Sequence, residues 1–190
     1  MKFKIALFLG ICFGLSACLG GRSADPDFYT LSPIKEKIIS DKSVAIGINR
    51  VQIARYLDRP QIITQKEGTP EVTISEMNRW IEPLSNLIAR TVVTDIKNIL
   101  PKSVVKTRSI GQENFDYIVS IEIVNMDTIL GETTTLNAWW KIYDKDEKLL
   151  FRHQMVETSS IGKSYEDLAR GQSQLVGKLA VQIAQKISEI

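Results

Sequence analysis

Apolar and polar residues alternate over three consecutive stretches in the second half of the chain. The stretches are 117–127, 133–144 and 149–158, and the polar segment Asp144–Lys148 separates the last two. Alternation with a period of two is typical of strands with one buried face, and short polar connections join antiparallel neighbours. The pattern therefore predicts an antiparallel meander of three strands with one covered face.

Two other stretches repeat their apolar residues at helical spacing. One spans about 80–100 and has Pro83 in its first turn, where a missing N–H costs nothing. The other spans 164–188, and its Ser164 and Asp167 resemble a capping box. Both apolar stripes are wide enough to cover a sheet. Two long amphipathic helices are therefore predicted.

Shorter apolar runs in the first half predict further strands. They lie at 28–31, 44–53, 62–64 and 72–74. Within the second run the parity of alternation changes near Asn49–Arg50, which predicts a β-bulge or a break there. With the helices and the meander, the expected fold class is α+β. We expect a two-layer domain in which two long amphipathic helices lie on one face of an antiparallel sheet.

The N-terminal segment is built like a secretory signal. Lys2 and Lys4 precede an almost unbroken apolar run, Ile5–Leu15. This run has about eleven residues, whereas a membrane-spanning helix needs about twenty. The sequence Leu15-Ser16-Ala17-Cys18 resembles a bacterial lipobox, in which the cysteine stands at the cleavage position. We therefore expect removal of a signal peptide, residues 1–17, and lipidation of Cys18.

The expected anchor divides the rest of the chain. Residues 18–27 form the lipidated cysteine and a Gly-rich flexible tether, with a relaxed span of about 15–18 Å. Residues 28–190 are then expected to form a single α+β domain held close to the membrane. Leu19 follows the cysteine, and lipoproteins retained in the inner membrane usually carry aspartate there. Resemblance to sorted lipoproteins therefore favours the outer membrane.

Composition excludes several classes of function. Without Lys2 and Lys4 the chain has 22 basic and 22 acidic residues, so nothing indicates a nucleic-acid partner. Cys12 lies in the signal peptide, Cys18 is expected to carry lipid, and His153 is the only histidine. The sequence therefore predicts no catalytic residues, no metal site, no cofactor and no enzymatic activity.

The segment Tyr56-Leu57-Asp58-Arg59-Pro60 is the most unusual stretch of the chain. Tyrosine and arginine are enriched at interface hot spots, and a proline-fixed loop presents them at a low ordering cost. The segment is thus a candidate partner-binding site. The alternative is a turn in which Asp58 and Arg59 satisfy the local backbone, and the sequence does not decide between the two.

Trp139 and Trp140 must point to opposite faces if both lie on a strand. One of them is therefore expected in the core. The other is expected on the face away from the helices, either at an interface or in barely exposed packing.

Several of these motifs occur together in a known family. The chain resembles the ABC-type transport auxiliary lipoprotein family, which includes the PqiC-like lipoproteins. The resemblance covers essentially the whole mature chain. It rests on the lipobox, Phe28-Tyr29-x-Leu31, Tyr56 to Ile63, Arg79-Trp80-x-x-Pro83-Leu84, Leu100-Pro101 and Ser164 to Asp167. One departure is Ala54-Arg55, since family members often carry a proline just before the tyrosine.

The resemblance implies a non-enzymatic lipoprotein on the periplasmic face of the outer membrane. Such proteins assist MCE-domain proteins and their permeases, which move phospholipid or other hydrophobic molecules between membranes, and members can form homo-oligomeric rings. An MCE-domain protein is thus the expected partner. The alternative is a periplasmic lipoprotein that itself binds a hydrophobic ligand, which would need an apolar cavity of about 300–1,000 Å³.

Overall fold

The computed structural model describes residues 24–108 and 114–190. Cys18 and the signal peptide lie outside the described residues. In chain order the elements are β1 (Asp27–Tyr29), β2 (Ala45–Ile48), β3 (Gln52–Ile53), β4 (Gln61–Gln65), β5 (Val72–Trp80), α1 (Leu84–Ile99), β6 (Val104–Thr107), β7 (Tyr117–Ile129), β8 (Thr133–Asp144), β9 (Leu149–Ser160) and α2 (Tyr165–Glu189).

The large sheet has the strand order β6-β2-β7-β8-β9, and β3 also pairs with β7. Strands β7, β8 and β9 form the predicted antiparallel meander. Ile121 lies opposite Trp140, which in turn lies opposite His153. The alternation of apolar and polar residues predicts these strands correctly, because each strand has one face against the helices and the other face away from them.

Strand β2 departs from the expected antiparallel arrangement. It pairs in parallel with both β6 and β7, so the large sheet is mixed although antiparallel pairing dominates it. The chain returns from β2 to β6 through β4, β5 and α1, which is the kind of long crossover that parallel neighbours require. The short strand β6 was not predicted from the sequence.

The predicted interruption of the second apolar run is a break between β2 and β3. Ile48 ends β2, and Gln52 begins β3. Between them the Asn49 N–H donates to the carbonyl oxygen of Val119 on β7, at 2.8 Å. The change of parity in the sequence thus coincides with a shift in register, because β2 and β3 pair with β7 in registers that differ by one residue.

The small sheet has the order β1-β5-β4, with β4 antiparallel and β1 parallel to β5. Strand β5 reaches Trp80, so α1 begins four residues later than the predicted start near position 80. Pro83 is the N-cap, with φ −51° and ψ 133°, and is not in the first turn. Trp80 is buried in the core, but as the last residue of β5 and not as the first turn of a helix. Apolar spacing alone does not distinguish these two positions.

One hydrophobic cluster lies between the helices and the sheets. The two helices pack against each other and lie on one face of the large sheet, as predicted. In α2 the predicted capping box is formed, since the Asp167 N–H donates to Ser164 Oγ at 3.0 Å. Fully buried members of the cluster include Ile46, Ile48, Leu87, Ile88, Ile96, Ile121, Ile123 and Leu136.

Residues 31–43, the connection from β1 to β2, cross both helices and are called the strap below. The Ile34 side chain packs against Gly177 of α2, where an added Cβ would come within 2.4 Å of Ile34 Cγ2. Four hydrogen bonds fix the strap: Ser32 N to Ser173 Oγ (3.0 Å), Ile34 N to Asp95 Oδ1 (2.9 Å), Ile39 N to Ile99 O (3.1 Å) and Lys42 Nζ to Ile187 O (2.8 Å). The strap is therefore attached to both helices.

Candidate functional site

Residues 56–60, called the elbow below, are held rigidly by their own backbone. The Leu57 N–H donates to the carbonyl oxygen of Ala54, and the Arg59 N–H donates to that of Leu57, both at 2.9 Å. The Pro60 carbonyl oxygen accepts from the Trp80 N–H at 2.7 Å, which ties the elbow to the end of β5. Leu57 is buried in the core. The elbow is thus an ordered turn anchored by the buried Leu57 side chain.

Asp58 acts on the first turn of α1. Its Oδ1 accepts from Ser85 Oγ at 2.9 Å and from the Ser85 N–H at 3.3 Å. Pro83 supplies no side-chain cap of its own. Because a helix N-terminus has unpaired N–H groups and a positive dipole end, the Asp58 carboxylate stabilises it from another part of the chain.

We expect Asp58→Ala to lower the free energy of unfolding by about 1 kcal/mol, the usual effect of losing a helix cap. Urea denaturation would measure this. Asp41→Ala is the matched control, because Asp41 forms an exposed ion pair with Lys102, and we expect little change from its loss. An equal effect of the two substitutions would contradict the capping role of Asp58.

Tyr56 and Arg59 are accessible side chains of the elbow, which also exposes Asp58 and Pro60. The Tyr56 side chain is about half exposed, and the Arg59 side chain is partly exposed. Partial burial, and then the nearby Asp127 carboxylate, raise the pKa of the Tyr56 phenol above its usual value. The phenol therefore stays protonated at neutral pH and can donate a hydrogen bond.

The structure gives two residues of the elbow a structural role and leaves the partner-binding reading untested. Leu57 and Asp58 serve the fold, through the core and through the cap of α1. Tyr56 and Arg59, beside the exposed Pro60, present a phenol and a guanidinium to solvent. Partner binding by the elbow stays a prediction, and its accessible chemistry is that of these two side chains.

A second surface with dense side-chain chemistry is the face of the large sheet away from the helices, called the open face below. Trp140 is 2% exposed in the core, whereas Trp139 is half-buried on the open face, as expected of neighbours on a strand. The Arg152 guanidinium lies 4.1 Å from the centre of the Trp139 ring. A shallow groove beside them is lined by Asn49, Arg50, Ser120, Glu122, Lys141 and Tyr143. Sequence patterns identified only Trp139 or Trp140 as a residue of this face. The groove also depends on the pairing of β2 with β7, which the sequence of neither strand reveals.

The single histidine of the chain, His153, lies on β9 of the large sheet. His153 is exposed on β9 and packs edge-on against Trp140, with ring centres 5.8 Å apart. Within residues 24–108 and 114–190, no three His, Cys, Asp or Glu side chains are grouped to hold a metal ion. None of the described helices is both long enough and apolar enough to span a bilayer.

The space enclosed between the small sheet, β7 and the helices is small. A cavity of ≈ 10 Å³ lies among Leu57, Ile62, Trp80, Leu84 and Met126. A site for a drug-sized ligand occupies about 300–1,000 Å³. This interior cavity is therefore far too small for a lipid.

Solved structures share this fold. An uncharacterised protein superimposes with a TM-score of 0.72 at 16% identity, covering 86% of this chain and 99% of its own. A protein from Xanthomonas campestris gives a TM-score of 0.68 at 13% identity, covering 85% of this chain and 94% of its own. At these identities the likeness shows the fold alone. PelC from Paraburkholderia phytofirmans, solved as a dodecamer, is more distant, with a TM-score of 0.43 at 9% identity over 81% of this chain and 91% of its own.

Sequence comparison gives the family. No protein of curated function matches the chain significantly. The family of ABC-type transport auxiliary lipoprotein components matches residues 29–184, which include the elbow, all of α1 and most of both sheets and of α2. The resemblance noted in the sequence motifs is thereby confirmed. The chain belongs to the family of ABC-type transport auxiliary lipoprotein components.

Proposed function

We propose that this protein is an outer-membrane lipoprotein that docks an MCE-type intermembrane lipid-transport system on the periplasmic side. The observation that carries the proposal is the family match over residues 29–184, because that family provides auxiliary lipoproteins for ABC-type transport. A transport auxiliary component implies a partner in a transport system. In this proposal Cys18 carries the lipid anchor, residues 28–190 form the single folded domain, and the partner is an MCE-domain protein.

The filled core supports a docking role over a carrier role. A protein that carried a lipid in its interior would need a cavity about thirty times larger than the ≈ 10 Å³ found between the small sheet and the helices. The alternative of a hydrophobic-ligand-binding lipoprotein would have to use a surface groove, such as the one of ≈ 370 Å³ lined by Phe28, Tyr29 and Ile34. The domain would therefore act through its surface.

The elbow is the surface that we propose for the partner. It is rigid before binding, since three backbone hydrogen bonds and the buried Leu57 side chain fix it. Binding would therefore cost little ordering entropy. Tyr56 and Arg59 offer the side-chain types that dominate binding energy at protein interfaces.

We expect Tyr56→Ala combined with Arg59→Ala to weaken binding of a purified MCE-domain partner by about 30-fold or more. This corresponds to about 2 kcal/mol, the lower limit for a hot spot. The measurement is the Kd of the mature lipoprotein in detergent, by surface plasmon resonance. Leu57 and Asp58 are left intact, so that the core and the cap of α1 are not disturbed.

The control is Trp139→Ala combined with Lys141→Ala, which removes similar chemistry from the open face. Binding unaffected by this pair, but lost with the elbow pair, would support the proposal. If the open-face pair abolishes binding and the elbow pair does not, the docking surface lies on the open face. If no MCE-domain protein binds the unaltered lipoprotein, the proposed function fails.

A further inference from the structure

The small sheet has one face in the core and one face in solvent. Ile62 and Thr64 of β4 and Trp80 of β5 are buried on the inner side. The residues on the other side follow from the register: Phe28 lies opposite Arg79, and Ile63 lies opposite Ile74. Residues directly opposite each other on paired strands project from the same face. These positions define the outer face of the small sheet.

This outer face is unusually apolar for a surface in contact with water. The solvated face of a strand pair normally carries polar residues. Here Phe28 is 56% exposed, and Ile81, immediately after β5, is 57% exposed. Gln61 and Gln65 share this face through the register, and Arg79 and Glu76, which also lie there, pair with each other at 3.2 Å. The apolar members are Phe28, Ile63, Val72, Ile74, Met77 and Ile81.

The position of this face relative to the expected anchor suggests what covers it. β1 is the edge strand of the small sheet, and Asp27 begins it nine residues after Cys18. Nine residues reach at most about 30 Å when fully extended, and about 15–18 Å when relaxed. The chain that leaves the anchor therefore enters the fold along this sheet, and Phe28, on the outer face, is the second residue of its first strand.

We propose that the outer face of the small sheet rests on the surface of the membrane that holds the Cys18 lipid. This inference rests on the proposed lipidation and goes beyond it, because it fixes the orientation of the domain. Apolar side chains of this kind lie at the boundary between headgroups and acyl chains. The neutral Arg79–Glu76 pair adds no charge that would oppose a lipid surface. The contact would hold the domain in one orientation, which a flexible tether alone cannot do.

The test measures the environment of single sites in the lipidated mature protein on vesicles. A spin label is attached to Ile74→Cys on the outer face and, as the matched control, to Val156→Cys on β9. Val156 is 60% exposed and lies on the far edge strand of the large sheet. With Cys18 acylated, the introduced thiol is the only one in the mature chain. The vesicles contain phosphatidylethanolamine and phosphatidylglycerol.

We expect the label at position 74 to collide several-fold more with oxygen, relative to a water-soluble nickel chelate, once vesicles are present. The label at position 156 should not change. If the protein floats with the vesicles and position 74 stays as accessible to nickel as position 156, the membrane contact is wrong but the anchor stands. If the protein does not float, the anchor itself is wrong. If position 74 becomes shielded only when an MCE-domain protein is added, the face binds protein and the inference is overturned.

Discussion

The substitution Asp95→Asn is expected to stabilise the protein by about 3 kcal/mol at pH 8. Asp95 is completely buried, and its Oδ1 accepts from the Ile34 N–H of the strap at 2.9 Å. Among the described residues, nothing donates to its Oδ2. Asparagine keeps an oxygen for Ile34 and removes a charge for which the described part of the chain supplies no ion pair. Replacing an uncompensated buried charge by a neutral group of the same shape is therefore favourable.

The size of the effect follows from the pKa of this carboxyl group. Burial raises the pKa of Asp95 from 3.8 to about 6, and the nearby Glu36 carboxylate adds to this. Since the folded state holds the proton more tightly, the stability from protonated Asp95 is full below pH 3.8 and is lost as pH rises through 6. A shift of this size corresponds to about 3 kcal/mol at pH 8.

Urea denaturation between pH 4.5 and pH 8 measures the difference between the two proteins. The advantage of the Asp95→Asn variant should grow by about 2 kcal/mol across this range. Asp95→Leu is the control, because it also removes the charge but leaves the Ile34 N–H without an acceptor. It should gain less than Asp95→Asn at pH 8. A pH-independent difference between Asp95→Asn and the parent would mean that Asp95 does not titrate in this range.

The second large effect is expected from Gly177→Val. A Cβ at position 177 would lie 2.4–2.7 Å from three side-chain atoms of Ile34. Because the site is tightly packed, Ile34 must leave its place and the strap must lift from α2. We expect a loss of about 3 kcal/mol, comparable to overpacking or to the removal of an isoleucine side chain.

A double-mutant cycle with Ile34→Ala tests this explanation. If the added side chain acts only by displacing Ile34, the double variant should be no less stable than Ile34→Ala alone. The two single effects would then be strongly non-additive. Hydrogen exchange at the Ile34 amide should become faster in Gly177→Val. Additive effects of the two substitutions would place the damage in α2 and not in the strap.

The elements with a strong local pattern could be predicted from the sequence. The meander β7–β9 and the cap of α2 at Ser164 depend on residues a few positions apart, and both are present. The start of α1 was placed too early because Trp80 fits the helical spacing equally well as the last residue of β5. The parallel partners of β2 are set by residues about 60 to 70 positions away, and no local pattern contains them.

The candidate site likewise has features that nearby residues determine and features that distant residues determine. The residue types of the elbow marked it as unusual, and Tyr56 and Arg59 are indeed accessible. The partner of Asp58 could not be found, because Ser85 is 27 residues away and belongs to a helix whose start was misplaced. The apolar outer face was also missed. Its residues come from β1, β4 and β5, and only the pairing of the three strands brings them to one side.

The strap has a consequence for the order of folding. Ser32 and Lys42 bond to groups on α2 that lie 141 and 145 residues further along the chain. A protein made and exported from its N-terminus emerges with these residues first and their partners last. The part of the fold closest to the expected anchor can therefore be completed only after the final helix has emerged. Until then Ser32 and Lys42 lack their partners, so a chain truncated within α2 would leave the strap bonded to α1 alone.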